Sequence, residues 1–92
     1  MLNVVRVPEV PHPFELNTVY LHVEEGLPPW SASFLCPCGC GDEICIPLDL
    51  VGEGPMWRLE SEDPLHINPS LQRTYGCKSH FFVHGGEFRM CP

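Results

Sequence analysis

The sequence is poor in basic residues and has no long apolar run. Five Lys and Arg stand against twelve Asp and Glu, a formal charge of −7. A nucleic-acid binder needs a basic footprint to displace counterions from phosphate, so binding to DNA or RNA is not expected. No run of about 18 apolar residues occurs, so no membrane-spanning helix is expected. The opening Met1-Leu2-Asn3-Val4-Val5-Arg6 lacks the basic region and apolar core of a secretory signal. A cytoplasmic location follows as the expectation. Also missing are the His-Glu-x-x-His, Gly-x-Ser-x-Gly and phosphate-loop patterns, internal repeats and low-complexity segments.

What is present is a small chain punctuated by turn formers. Ninety-two residues read as one domain over residues 1–92, and a chain of that size buries roughly 60–65% of its unfolded surface. Eleven prolines and eight glycines disfavour long helices and favour short strands joined by turns. The fold class expected is mainly β: a small single domain of short antiparallel strands and hairpins with two metal-binding knuckles, zinc-ribbon or Rieske-like, and little helix.

Along the chain, residues 1–16 read as a short strand at Val4-Val5-Arg6-Val7 followed by a proline-punctuated extended arm or edge. Asn17 to Val23 alternates, with Val19, Leu21 and Val23 on one face. Trp30 to Leu35 alternates again and leads into a cysteine cluster. Beyond it Ile44, Ile46 and Leu48 form a third alternating set, which puts that cluster at the tip of a hairpin. Asp49 to Pro55 reads as a loop, Met56 to Glu60 as a strand and Leu65-His66-Ile67 as a brief one. Asn68-Pro69-Ser70-Leu71-Gln72 offers a cap-like Asn and a proline at the first helical position, so one helical turn is expected there. His80 to Val83, Gly85-Gly86 and Glu87 to Met90 read as a hairpin.

The six cysteines carry the chemistry. Cys36-Pro37-Cys38-Gly39-Cys40-Gly41 places three thiols in five residues, and Cys77-Lys78-Ser79-His80 adds a Cys-x-x-His pair. Clustered thiols in a chain without a secretory signal point to metal and not to disulfides. Cys36, Cys38, Cys77 and His80 are the candidate ligands of one tetrahedral zinc, with Cys40 able to replace either of the first two. A structural site of this kind contributes on the order of 10 kcal/mol to folding. The chemical rival is an iron–sulfur cluster on three Cys and one His. Cys45 and Cys91 read as reduced, packed thiols. His12, His22, His66 and His84 read as surface or hydrogen-bonded residues. Ser79 adjoins His80, but a metal-bound imidazole cannot also serve as its base, so no catalytic residue is assigned.

The string Cys36-Pro37-Cys38-Gly39-Cys40-Gly41, the strand around Trp57, the Asn68-Pro69-Ser70-Leu71 turn and Cys77-Lys78-Ser79-His80-Phe81-Phe82-Val83 with its Gly-Gly hairpin resemble a family of small bacterial and phage metal-binding proteins. The likeness covers about residues 30–91. Some members are encoded beside bacterial homologues of ubiquitin-activating and ubiquitin-conjugating enzymes. The resemblance implies a protein partner, such as a ubiquitin-conjugating-like enzyme, and a zinc-stabilised interaction module serving as an adaptor in a ubiquitin-like conjugation or phage-defence pathway. Two other readings stand beside it: an iron–sulfur electron carrier, and a small enzyme using an exposed thiol, Cys40 or Cys91.

Overall fold

Strand alternation governs the computed structural model, which describes residues 1–49, 56–74 and 76–91. Eight strands and no helix occur among these: β1 (Asn3–Val7), β2 (Thr18–His22), β3 (Ser31–Leu35), β4 (Glu43–Pro47), β5 (Arg58–Glu62), β6 (Leu65–Gln72), β7 (His80–His84) and β8 (Glu87–Met90). They form two four-stranded sheets, ordered β1-β2-β3-β4 and β5-β6-β7-β8. The inward residues of the first sheet (Val19, Leu21, Ala32, Phe34, Ile46) and of the second (Leu65, Ile67, Leu71, Phe81, Val83) belong to one core cluster. The sheets are therefore stacked face to face over a shared apolar layer. At its centre Phe34 meets Phe81 edge-on, with centroids 6.1 Å apart at 79°.

All pairings between these strands are antiparallel except the first. β1 runs parallel to β2, Asn3 opposite Thr18 and Val7 opposite His22. A parallel pair needs a crossover, and residues 8–17 provide it across the outer face of β2. The proline-rich arm is thus a lid. Phe14 packs on Tyr20, ring centroids 5.4 Å apart, and His12 stacks on Phe14 at 4.9 Å. The Glu15 N–H donates to Tyr20 Oη at 3.0 Å, and His22 Nε2 donates to the Pro8 carbonyl at 2.8 Å. Thr18 and Tyr20, which alternation alone assigns to solvent, are buried as a result. Tyr20→Phe leaves the Glu15 N–H without its acceptor and should cost about 1–2 kcal/mol. Denaturant melts would read that loss, and limited proteolysis should then cut first within residues 8–17.

Two sequence expectations shift. The strand expected at Met56–Glu60 lies at Arg58–Glu62, preceded by a bridge between Trp57 and Leu48. The helical turn expected at Asn68–Gln72 is instead the second half of β6. Leu65, Ile67 and Leu71 are all buried, so period two continues through Pro69. That proline is accommodated because the β6–β7 register shifts between Ile67 and Leu71, a bulge where no ladder N–H is required. The loop expected at Asp49–Pro55 lies, beyond Asp49, outside the described residues.

Candidate functional site

The loop between β3 and β4, residues 36–42, carries the first cysteine cluster at the tip of an antiparallel hairpin. The Cys36 N–H donates to the Asp42 carbonyl at 2.9 Å, and the Gly39 N–H closes a turn on the Cys36 carbonyl at 3.3 Å. Gly39 sits at φ +91, a backbone state that only glycine adopts without strain. Facing it is the β6–β7 connection, residues 73–79, held by the Arg73 N–H on the Ser79 carbonyl at 2.9 Å. Lys78 within it takes φ 54, uncommon for a residue with a Cβ, and lies between Cys77 and Ser79, both of which meet the first loop.

Four sulfurs meet there. The Sγ atoms of Cys36, Cys38, Cys40 and Cys77 all lie within 4.8 Å of one another. Cys36 is 3.4 Å from Cys38 and 3.5 Å from Cys77. These separations exceed a disulfide bond of about 2.05 Å, and all six cysteines are free thiols. They approach the edge of a tetrahedron of thiolates around zinc, about 3.8 Å for bonds of about 2.3 Å. Such a donor set can hold one soft metal ion.

Three of these thiols are shifted from their usual range, and not all in one direction. Hydrogen bonding from the Ser79 hydroxyl, 3.0 Å away, and from its backbone lowers the Cys77 thiol to about 6. Burial alone pushes Cys36 up, but the Ser79 hydroxyl and the Cys38 backbone outweigh it and the net direction is down. Cys38, which shares its proton with Cys36 and Cys40, is pushed up to about 12. Arg73 sits over this anionic pocket: its guanidinium is 3.2 Å from Cys77 Sγ and 3.7 Å from Cys40 Sγ, and pairs with Asp42 at 3.1 Å.

Of the four residues singled out in the sequence, three (Cys36, Cys38 and Cys77) are gathered here, together with Cys40. His80 is not in that four-sulfur group. It is the first residue of β7, where Phe81 and Val83 turn inward and His80, Phe82 and His84 turn outward. Its backbone is fixed by the Gln72 pairing and by the Cys91 N–H on its carbonyl at 2.7 Å. Its Nε2 lies 2.8 Å from Ser70 Oγ, a diagonal cross-strand contact. Cys45 is exposed and Cys91 half-buried, neither in the sulfur group. Ser79 Oγ is 3.3 Å from Cys36 Sγ, so it serves the sulfurs and not an imidazole.

Ser70 is the residue that sequence reasoning missed. Reading 68–72 as a helical turn hid the fact that His66, Asn68 and Ser70 share the outer face of β6. Continuing the alternation of Leu65, Ile67 and Leu71 was the available signal. On that face His84 Nε2 contacts Asn68 Oδ1 at 2.9 Å, and the His66 and His84 rings stack at 4.0 Å and 3°. Partial burial, then the neighbouring His66 and Arg89, push the His84 imidazole below its usual range. His12 and His22 hold the arm, His12 with Nδ1 3.3 Å from Glu43.

Fold and site together define a small all-β sandwich with a four-thiol cluster between loops of its two sheets and a serine–histidine pair on the outer face of the second sheet. Over residues 6–91 the chain matches the family described as bacterial ubiquitination-like system serine protease (BubE), and it belongs to that family. Membership ties it to bacterial ubiquitination-like systems, the class of pathway that the sequence resemblance implied. No curated protein and no solved structure matches the chain.

Proposed function

We propose that the chain is a serine hydrolase of a bacterial ubiquitination-like system, cleaving an acyl bond to a protein, with Ser70 as nucleophile and His80 as its base. The observation that carries this reading is the 2.8 Å contact between Ser70 Oγ and His80 Nε2. A hydroxyl is a weak nucleophile until a neighbouring imidazole accepts its proton. Both residues are half-buried on strands of the second sheet, and substrate can approach from the outer face. The family's description as a serine protease supports the same assignment. Ser79 is the weaker candidate because its hydroxyl is occupied by sulfur on two sides.

The metal has a separate task. Zinc on Cys36, Cys38, Cys40 and Cys77 has four protein ligands and so no open position for a substrate or water. It would supply structural cross-linking only, and Arg73 would offset the negative charge of the four thiolates. The sequence-derived set with His80 in place of Cys40 is the competing assignment, but His80 cannot both ligate and serve Ser70. A two-iron cluster is the rival cofactor, but it spreads its four protein donors over two irons, whereas these sulfurs crowd around one centre.

A fluorophosphonate probe on the metal-loaded protein tests the nucleophile. Mass spectrometry should locate one adduct at Ser70, and Ser70→Ala should abolish it. No reaction of the wild type, or an adduct on Ser79, overturns the proposal. The adaptor reading draws on a different observation, a cleft of about 500 Å³ beside the knuckle with a mixed lining that includes Leu2, Leu16, Asn17, Leu35, Glu87 and Phe88. On that reading Ser70→Ala leaves binding to a conjugating-enzyme partner and biological function intact.

A further inference from the structure

The outer face of the second sheet holds more than the serine and histidine. Asn68 precedes Ser70 by two residues on β6, and their side chains reach His84 and His80 in turn, both of which turn outward from β7. Asn68 Oδ1 lies 2.9 Å from His84 Nε2. A carboxamide oxygen only accepts hydrogen bonds, so Nε2 carries the proton and the amide oxygen is turned toward His84. The Asn68 NH2 group is therefore directed away from His84, and it has no hydrogen-bond partner among the described residues.

His84 is itself held in place. Its ring lies flat on His66 at 4.0 Å and 3°, and Phe82 flanks it at 4.8 Å. The half-buried neutral ring has one N–H to give, and the Asn68 carbonyl takes it. A donor with no partner among the described residues, two residues from a serine whose hydroxyl faces a base, is the kind of group that acyl transfer uses against its developing negative charge.

Taking Ser70 as the nucleophile, as proposed above, we infer that Asn68 Nδ2 is the oxyanion donor of the reaction and that His84 is the positioning residue that holds its amide in the donating orientation. Ser70 Oγ attacks the scissile carbonyl carbon and its proton passes to His80 Nε2. The carbonyl π pair moves onto oxygen, to which the Asn68 N–H donates a hydrogen bond. Collapse of that oxyanion breaks the bond to the leaving amine or alcohol, which takes the proton back from His80. Water, deprotonated by His80, then releases the acyl group from Ser70 by the same sequence.

The test uses the full-length, metal-loaded chain, with p-nitrophenyl acetate turnover and the rate of fluorophosphonate labelling as readouts. Asn68→Asp keeps the shape and the His84 contact but replaces the donor with a carboxylate; Asn68→Ala removes both. Each should lower kcat by about 10²–10³ with KM changed by less than about twofold, and leave metal content unaltered. His84→Leu should show a smaller part of the same kcat loss, and His84→Gln, whose amide can still donate to Asn68 Oδ1, should restore most of it. If Asn68→Asp stays within about threefold of wild type while Ser70→Ala is dead, Asn68 is not the donor and the nucleophile stands. If Ser70→Ala retains turnover and labelling, the nucleophile reading itself falls. Equal kcat for His84→Gln and His84→Leu removes the positioning role alone.

Discussion

Replacing Cys77 with serine should strip the metal and unfold the chain in a single event. Cys77 is the only member of the sulfur group contributed by the β6–β7 side; Cys36, Cys38 and Cys40 all come from the β3–β4 loop. One ion on the four would therefore tie the two sheets together, and losing Cys77 cuts that tie. Structural zinc contributes on the order of 10 kcal/mol or more of apparent binding energy at neutral pH, against a total stability of about 5–15 kcal/mol for a domain. Elemental analysis of the wild type should return one zinc per chain without visible absorption, and a strong chelator should reproduce the mutant's loss of fold. Cys40→Ser should behave like Cys77→Ser. Cys45→Ser, at an exposed position on β4, should change stability by no more than about 0.5 kcal/mol. A Cys77→Ser protein with full metal content and an unshifted melting temperature rules out this ligand set, and iron with sulfide rules out zinc.

His80→Ala should abolish hydrolysis and leave the metal where it is. An imidazole that accepts the nucleophile's proton contributes typically about 10²–10⁴-fold, so kcat should fall by that factor or more. Ser70→Ala should fall at least as far, and the double variant little further, because paired residues act as a unit. Neither side chain belongs to the core cluster, so both variants should keep their circular dichroism and melt close to wild type. The same substitution decides between the two roles open to His80. Loss of metal in step with loss of fold would make it a ligand and remove it from catalysis.

How much of this was legible beforehand depended on which physical signal governed each segment. Where burial on one face decided the structure, as for Val19 and Leu21 or for Phe81 and Val83, period two located the strands. The cysteine hairpin was legible for the same reason, since alternating segments flank it. The parallel pairing of β1 was not, because alternation carries no information about strand direction. Nor was the burial of Tyr20, which depends on an arm returning from residues 8–17. At Asn68-Pro69 two local rules conflicted: a capping signature favoured a helical turn, while Leu65, Ile67 and Leu71 favoured a strand. The apolar pattern won because each of those side chains fills the shared core. His80 was ambiguous in a similar way. Cys-x-x-His spacing suits a ligand pair, and as the first residue of β7, with Phe81 inward, His80 also reaches Ser70 across the strands.

The two points at which distant chain segments are fastened together also bear on how the molecule comes to be folded. At one end of β7 the sulfur group joins residues 36–40 to residue 77; at the other, the Leu2 N–H reaches the Gly86 carbonyl at 2.8 Å. Neither fastening forms between near neighbours in sequence, and topologies rich in such contacts close slowly. During synthesis β1 leaves the ribosome first, yet it has no Gly86 to meet until almost the last strand is made. Until then the apolar faces of β2 and β3 are uncovered, the kind of surface that aggregates in nascent chains. The domain is therefore expected to close only once β8 has been made, with ion capture among its final steps.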